Sequence, residues 1–133
     1  MSKVYAITNQ KGGVGKTTTS INLSAYLAAA GRKVMLIDLD PQANSSTGLG
    51  VASTGQTTIY EVLVQSGVSL NDVAILNTRP NLSIIPSTVD LAGAEIELVD
   101  LPEREYRLRR AIEPMRTRYD YILIDCPPSL GLL

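Results

Sequence analysis

Residues 4–40 read VYAITNQKGGVGKTTTSINLSAYLAAAGRKVMLIDLD. The apolar residues 4–9 predict a short strand, and residues 16–30, rich in alanine and free of proline, predict a helix. Gly31 stands where a helix commonly ends in a residue with positive φ. Residues 34–39 form an almost continuous apolar run, which is typical of a strand covered on both faces. The order strand, helix, strand predicts a right-handed βαβ unit of a parallel sheet.

A glycine-rich segment, KGGVGKT at residues 11–17, joins the first strand to the helix. Glycine backbones can curl closely around phosphate groups because they carry no Cβ atom. The helix that follows directs the positive end of its dipole at the same point. The segment therefore predicts a phosphate-binding loop for a nucleoside triphosphate. Its glycines are Gly12, Gly13 and Gly15.

Two side chains of this segment complete the expected chemistry. Lys16 can place a positive charge on the β- and γ-phosphates, and the Thr17 hydroxyl can bind Mg²⁺. The usual pattern is G-x-x-x-x-G-K-S/T, and Gln10 stands in place of its first glycine, so the match is incomplete. The alternative is a glycine-rich turn with an incidental lysine. The flanking strand and helix and the later Asp125 argue against that alternative.

Three carboxylates lie at or just after the ends of apolar strands. Parallel sheets bind their ligands at this carboxyl edge. Asp125 ends the apolar residues 121–124, as a residue that orients Mg²⁺ in a nucleotide site would do. Asp38 and Asp40 are two positions apart, so both face one side of an extended strand. The alternatives are a strand-terminal cap for Asp125 and a purely structural pair for Asp38 and Asp40. The favoured prediction is that these side chains and Asn9 converge on one sheet edge.

The rest of the chain continues the alternation of strands and helices. A loop is predicted over residues 40–56 from their glycine, proline, serine and asparagine content. Pro114 is expected to end or kink the helix that contains it. The fold class is therefore α/β, with a mainly parallel sheet between flanking helices. Strands are predicted at residues 82–85 and 121–125, and helices at residues 58–65, 91–99 and 103–115. One apolar helix face is predicted from Leu101, Leu108, Ile112, Met115 and Tyr119.

Composition narrows the functions that the chain can have. The 133 residues correspond to one domain, and the absence of histidine excludes a histidine ligand or general base within them. Cys126 is the single cysteine, so no disulfide forms within one chain. The net charge of −1 gives no sign of a nucleic-acid partner. With neither a signal peptide nor an apolar run long enough for a membrane helix, the expected location is the cytoplasm.

Three blocks of the sequence resemble the ParA/MinD class of P-loop ATPases. The segment KGGVGKTT, residues 11–18, is similar to the deviant Walker A motif of that class. The segments VMLIDLDPQ at residues 34–42 and NSS at residues 44–46 resemble the next block of the ParA/Soj branch. The segment YDYILIDCPPSLG, residues 119–131, resembles its Walker B block. The resemblance implies a three-layer α/β/α P-loop fold and a role in chromosome or plasmid partitioning.

The resemblance also implies a role for each matching residue. Lys16 would bind the β- and γ-phosphates of ATP, and Thr18 would contact the α-phosphate. Lys11 would reach into the ATP of the partner subunit in a homodimer. The implied ATP-binding residues are Lys11, Gly12, Gly13, Val14, Gly15, Lys16, Thr17 and Thr18.

For catalysis, the resemblance implies slow ATP hydrolysis. Asp40 would position or activate the attacking water, beside the catalytic lysines Lys11 and Lys16. Thr17 would ligate Mg²⁺, Asp125 would hold it through water, and Asp38 would support this arrangement. The cofactors expected are therefore ATP and Mg²⁺.

The process implied is a switch that ATP controls. ATP would close a homodimer, and the full-length dimer would bind DNA non-specifically on the nucleoid. A centromere-binding protein of the ParB/Spo0J type would stimulate turnover, with no membrane involved. Members of the class are longer than this chain, so residues 1–133 are expected to form the N-terminal portion of one ATPase domain.

Other functions fit parts of the sequence. A truncated module could bind nucleotide or a partner without turnover. A MinD-like cell-division-site ATPase usually lacks the CPPS segment that follows Asp125 here, and it ends in an amphipathic membrane helix. The nitrogenase iron protein needs cluster cysteines, which the single Cys126 does not supply. Residues 104–118 hold six of the twelve Lys and Arg residues, and a solvated amphipathic helix is favoured over a nucleic-acid surface there.

Overall fold

The computed structural model of the chain describes residues 3–7, 14–39, 59, 62, 70, 75–87 and 107–125. The regular elements in these ranges are strands and helices, and they alternate less strictly than the sequence predicts because two strands follow one another between residues 75 and 85. They are β1 (Lys3–Ile7), α1 (Val14–Ala29), β2 (Val34–Asp38), β3 (Ile75–Arg79), β4 (Leu82–Ile85), α2 (Arg107–Ile112), a 3₁₀ helix (Glu113–Thr117) and β5 (Tyr121–Asp125).

The strands form one sheet in the order β1-β5-β2-β4-β3. β1, β5, β2 and β4 are mutually parallel, which confirms the predicted sheet. β3 pairs antiparallel with β4 and was not predicted. Its sequence, ILNTR, alternates too weakly to indicate a strand. The turn into β4 contains Asn81, whose φ of 66° is the left-handed conformation that asparagine tolerates better than most residues.

Helices cover both faces of the sheet, which confirms the three-layer arrangement. One face packs on α1 around Ala28, with Leu36 of β2 and Leu123 of β5 completely buried. The other face packs on α2 and the 3₁₀ helix through Ile112 and Met115. Because successive side chains of a strand point to opposite faces, the continuous apolar runs of β2, β4 and β5 supply both layers.

The end of α1 agrees with its sequence signal. Gly31 has φ of +87°, and its N–H donates to the C=O of Ala28 at 3.0 Å. The N–H of Arg32 donates to the C=O of Leu27 at 3.1 Å, so two carbonyls of the last turn are satisfied. The beginning of α1 differs from expectation, because the helix begins at Val14 and not at residue 16.

In the described part of the arginine-rich segment 104–118, an α-helix is followed directly by a 3₁₀ helix. α2 ends at Ile112, and Pro114 lies in the first turn of the 3₁₀ helix, so the expected effect of the proline is confirmed. Arg109 and Arg118 are exposed, which is compatible both with the favoured solvated helix and with a nucleic-acid surface. The predicted apolar face is confirmed for the residues that the structure describes: Leu108, Ile112, Met115 and Tyr119.

Several predicted elements fall partly or wholly outside the described residues. Ile59 and Val62 are helical and buried within the helix predicted over 58–65. The loop predicted over 40–56, the helix predicted over 91–99 and Leu101 lie outside the described residues.

Candidate functional site

The first turn of α1 lies at the carboxyl edge of the parallel strands. The last turn of α1 lies at the opposite edge, since the Asn81 side-chain amide, just before β4, donates to the C=O of Ala28 at 3.3 Å. With 16 residues, α1 is roughly 24 Å long at 1.5 Å per residue, enough to cross a sheet of five-residue strands. The helix that begins at Val14 therefore directs its positive end at the edge where β1, β2 and β5 finish.

Two aspartates lie side by side at that edge. Asp38 is the last residue of β2, Asp125 is the last residue of β5, and the two are register partners on neighbouring parallel strands. Both are completely buried, at 0% exposure. The N–H of Leu39 donates to the C=O of Asp125 at 2.9 Å and extends the ladder past the pair.

The strand register sets the face on which these aspartates lie. Leu36 and Leu123 are two residues before Asp38 and Asp125, and both pack on Ala28 of α1. Because side chains two apart on a strand share a face, both carboxylates lie on the face that α1 covers. The first turn of α1 and the two carboxylates therefore share one layer and one edge of the molecule.

Adjacent buried carboxylates repel one another and favour a nearby cation. Each of these two residues has a further hydrogen-bonding or electrostatic partner in the chain. No cluster of three or more His, Cys, Asp or Glu side chains that could hold a metal occurs among the described residues. Mg²⁺ is normally bound through one or two carboxylates together with water and substrate phosphates, so the Asp38–Asp125 pair fits Mg²⁺ bound with a nucleotide.

The predicted phosphate-binding residues divide between α1 and the segment before it. The first helical turn contains Val14, Gly15, Lys16 and Thr17, followed by Thr18, so these five lie within α1 and not in a preceding loop. The first four N–H groups of a helix have no acceptor within the helix and are available to an anion. Lys11, Gly12, Gly13 and Asp40 lie outside the described residues, as do Asn9, Gln10 and Cys126.

Sequence reasoning missed a residue that positions the site from the far edge of the sheet. Asp120, directly before β5, makes hydrogen bonds to the starts of both β1 and β2. An acidic residue just before an apolar strand was the available signal. A second missed residue is Ile7, the register partner of Asp125 on β1, which packs on the same side of the sheet.

Comparison with known proteins identifies a family match and close relatives. A family model described as the AAA domain, AAA_31, matches residues 2–133. The sporulation initiation inhibitor protein Soj of Bacillus subtilis is 54% identical over 134 residues, covering 100% of this chain and 53% of Soj. The chromosome partitioning protein ParA of Myxococcus xanthus is 50% identical, covering 100% of this chain and 47% of that protein. These matches confirm the predicted resemblance to the ParA/Soj partitioning ATPases.

A solved structure has the same fold. Cobyrinic acid a,c-diamide synthase from Mycobacterium smegmatis, with bound ATP analog and magnesium, superposes with a TM-score of 0.92 at 40% identity. The superposition covers 99% of this chain and 54% of that protein. This chain thus spans about half the length of the relatives that it matches. No helix in the described part of the chain is both long and apolar enough to cross a membrane.

Proposed function

We propose that this chain, which belongs to the AAA domain family, binds ATP with Mg²⁺ and works as a slow ATPase switch of the ParA/Soj type. The observation that carries the proposal is the buried Asp38–Asp125 pair beside the first turn of α1. Helix N–H groups attract phosphate, and paired carboxylates attract the cation that accompanies it. A site that combines helix N–H groups with paired carboxylates suits a complex of Mg²⁺ with a triphosphate better than it suits the cation or the phosphate alone.

The nucleotide site would be built around the start of α1. The N–H groups of residues 14–17, with Gly12 and Gly13 before them, would hold the phosphates. Lys16 would place its ammonium on the β- and γ-phosphates, and the Thr17 hydroxyl would complete the cation site opposite Asp38 and Asp125. When bound, Mg²⁺ supplies neutralisation of the charge on the β- and γ-phosphates.

Hydrolysis requires a residue that orients water and a second source of positive charge. Asp40, two positions beyond Asp38, would orient the attacking water. Lys11 would reach the nucleotide of a second subunit, so that ATP joins two copies into a homodimer. Both roles rest on the family resemblance of the segments that contain them.

The process that we propose is the partitioning of a chromosome or plasmid. The support is that Soj and the ParA proteins match this chain along its whole length at about half identity. The proposed partners are DNA, bound without sequence preference by a full-length dimer, and a centromere-binding protein of the ParB type. We propose both interactions for a protein as long as these relatives, of which this chain spans about half.

Binding of ATP can be tested by isothermal titration with and without Mg²⁺. We expect binding that Mg²⁺ strengthens, with loss of affinity in Lys16→Ala. Lys33→Ala is the matched control, because Lys33 is an exposed lysine beyond the opposite end of α1. If Lys16→Ala binds ATP as tightly as Lys33→Ala and the wild-type chain do, the proposed site is wrong.

A second candidate is a nucleotide-binding module without turnover. The observation that favours it is that the chain spans about half the length of its relatives. This candidate predicts ATP binding without steady-state release of phosphate. Measurable phosphate release by this chain that disappears in Asp40→Ala would exclude it.

A further inference from the structure

The amino edge of the sheet, where the parallel strands begin, carries a cluster of exposed basic side chains. Asp120 lies at its centre and makes hydrogen bonds to the main chains of both Lys3 and Lys33. Lys3 begins β1 and Lys33 directly precedes β2, so the two lysines lie on either side of β5. At about 4.8 Å from one strand to the next, their backbones are roughly 10 Å apart. Exposed arginines extend the group, and this amino-edge cluster consists of Lys3, Arg32, Lys33 and Arg118.

Acidic side chains in the described part of the chain offset the charge of the amino-edge cluster only in part. The exposed acids there are Glu113 and Asp120. Glu113 pairs with Arg116 at 3.5 Å, and the Asp120 carboxylate accepts a hydrogen bond from the main-chain N–H of Lys33 at 2.8 Å. No side chain of the cluster forms an ion pair with a described residue. The cluster therefore keeps an excess of positive charge, which the net charge of −1 for the whole chain conceals.

Stabilisation of α1 accounts for only part of this cluster. Arg32 and Lys33 follow α1, whose last turn holds no basic residue, so their charges favour the negative end of its dipole. Lys3 belongs to a strand, and Arg118 follows the 3₁₀ helix on the other face of the sheet. The dipole of α1 does not explain these two residues.

A solvent-facing group of unneutralised cations suits a ligand with closely spaced negative charges. Each strand of duplex DNA carries one phosphate about every 3.4 Å along the axis, so about three phosphates span the distance between the two lysines. An anionic membrane fits less well, because binding at a membrane surface also needs exposed apolar side chains. The chain has neither Trp nor Phe, and no large apolar side chain is exposed among residues 30–34 and 117–121.

We propose that the amino-edge cluster binds the phosphate backbone of duplex DNA, and that it does so in this chain without nucleotide and without a second subunit. The choice of DNA as the polyanion rests on the proposed partitioning function. The surface itself does not, because it lies at the opposite edge of the sheet from the first turn of α1, so ATP is not needed to form it. Four long basic side chains can contact about four phosphates. Each contact releases a counterion from the DNA, so the affinity falls steeply as salt is added.

Fluorescence anisotropy of a labelled duplex DNA, titrated with this chain in the absence of nucleotide, tests the proposal. We expect binding at low salt, with the logarithm of the association constant falling linearly against the logarithm of salt concentration. The slope should be about −3.6 for four phosphate contacts. A second duplex of unrelated sequence should bind equally well, because phosphate contacts carry no sequence information.

Single substitutions locate the surface. Arg118→Gln should reduce the slope to about −2.7 and weaken binding by about tenfold at roughly 50 mM salt, since one contact is lost. Arg109→Gln is the matched control, because it removes another exposed arginine from α2, roughly 15 Å away along the helical segment, and should leave the slope unchanged. Lys3→Gln and Lys33→Gln should behave as Arg118→Gln does. Both keep their main-chain bonds to Asp120, so their melting temperatures should match that of the wild-type chain.

Three results would overturn the proposal. Equal losses of affinity in Arg118→Gln and Arg109→Gln would show that overall charge, and not this edge, holds the DNA. The others are the absence of DNA binding at low salt, and tighter binding to phosphatidylglycerol vesicles than to DNA at equal phosphate concentration. ATP titration of the same variants separates the two proposals. A chain that binds no ATP but loses DNA affinity in Arg118→Gln would contradict only the proposed nucleotide site, whereas a chain that binds ATP and ignores all cluster substitutions would contradict only this inference.

Discussion

The main-chain N–H of Lys33 donates a hydrogen bond of 2.8 Å to Oδ2 of Asp120. In return, the N–H of Asp120 donates to the C=O of Lys33 at 2.7 Å, and the C=O of Asp120 accepts from Lys3 at 3.1 Å. One aspartate thus joins the starts of β1 and β2 to β5. Because these strands are parallel, the register set here also places Asp38 opposite Asp125 at their far ends.

Asp120→Ala should lower the free energy of unfolding by about 1 kcal/mol, since it removes a charge-assisted but exposed hydrogen bond. Asp120→Asn keeps an acceptor oxygen and should lose less. Urea denaturation followed by circular dichroism measures both. Equal stability of Asp120→Ala and the wild-type chain would show that the backbone bonds alone fix the register.

Asn81→Ala should destabilise the chain by roughly 2 kcal/mol. Alanine at φ of 66° is strained, and the bond from the Asn81 side chain to the last turn of α1 is lost. Asn81→Gly removes the bond without the strain, so its loss should be smaller. Thermal melting of the two variants distinguishes these contributions, and a larger loss for glycine than for alanine would contradict the assignment.

Gly31→Ala should cost about 1 kcal/mol of stability through backbone strain alone. The φ of Gly31 is +87°, and apart from Gly31 and its two chain neighbours no described heavy atom lies within 4 Å of the position that a Cβ would occupy. Gly31→Asn should cost less, because asparagine tolerates this conformation better. Denaturant midpoints test the order Gly, Asn, Ala; a loss in Gly31→Ala well beyond that of strain would indicate a steric clash.

Asp125→Asn and Asp38→Asn should each weaken the Mg²⁺-dependent part of ATP binding by about tenfold or more. ATP binding in EDTA should change little, because neither carboxylate contacts the phosphates in the proposed arrangement. Titrations with and without Mg²⁺ make the comparison. A loss of equal size under both conditions would point to a folding defect, which urea denaturation of the same variants would reveal.

Lys11→Ala should abolish ATP-dependent dimerisation while nucleotide binding by the monomer stays largely intact. The reason is that Lys11 is proposed to contact the nucleotide of the other subunit. Light scattering with and without ATP, in a protein of the relatives' full length, gives the answer. A normal dimer in Lys11→Ala, or a loss of monomer binding equal to that of Lys16→Ala, would refute this role.

The sequence was sufficient to locate the parallel strands and the main helix, because burial on both faces demands continuous apolar runs. The bounds of β4 and β5 were predicted to the residue. β3 could not be found, since its strand character depends on pairing with β4 through the turn at Asn81 and not on its own residues.

The sequence predicts the sheet edge at which the candidate site lies, but it does not predict which residues are neighbours there. Asp38 and Asp125 each follow an apolar run, which indicates that both lie at the carboxyl edge. Their adjacency depends on the insertion of β5 between β1 and β2, and no local pattern encodes the order of strands in a sheet. The role of Asp120 was hidden for the same reason, because its partners are distant in sequence.

The placement of β5 between β1 and β2 also constrains how the protein is made. β1 and β2 are separated by one helix and finish early in synthesis, yet they do not pair with each other. Their shared neighbour β5 begins at Tyr121, 83 residues after β2 ends at Asp38, so it is made on the order of 4 to 17 seconds later at about 5–20 residues per second. During that interval the two apolar strands lack their central partner, so the sheet cannot close until β5 has left the ribosome.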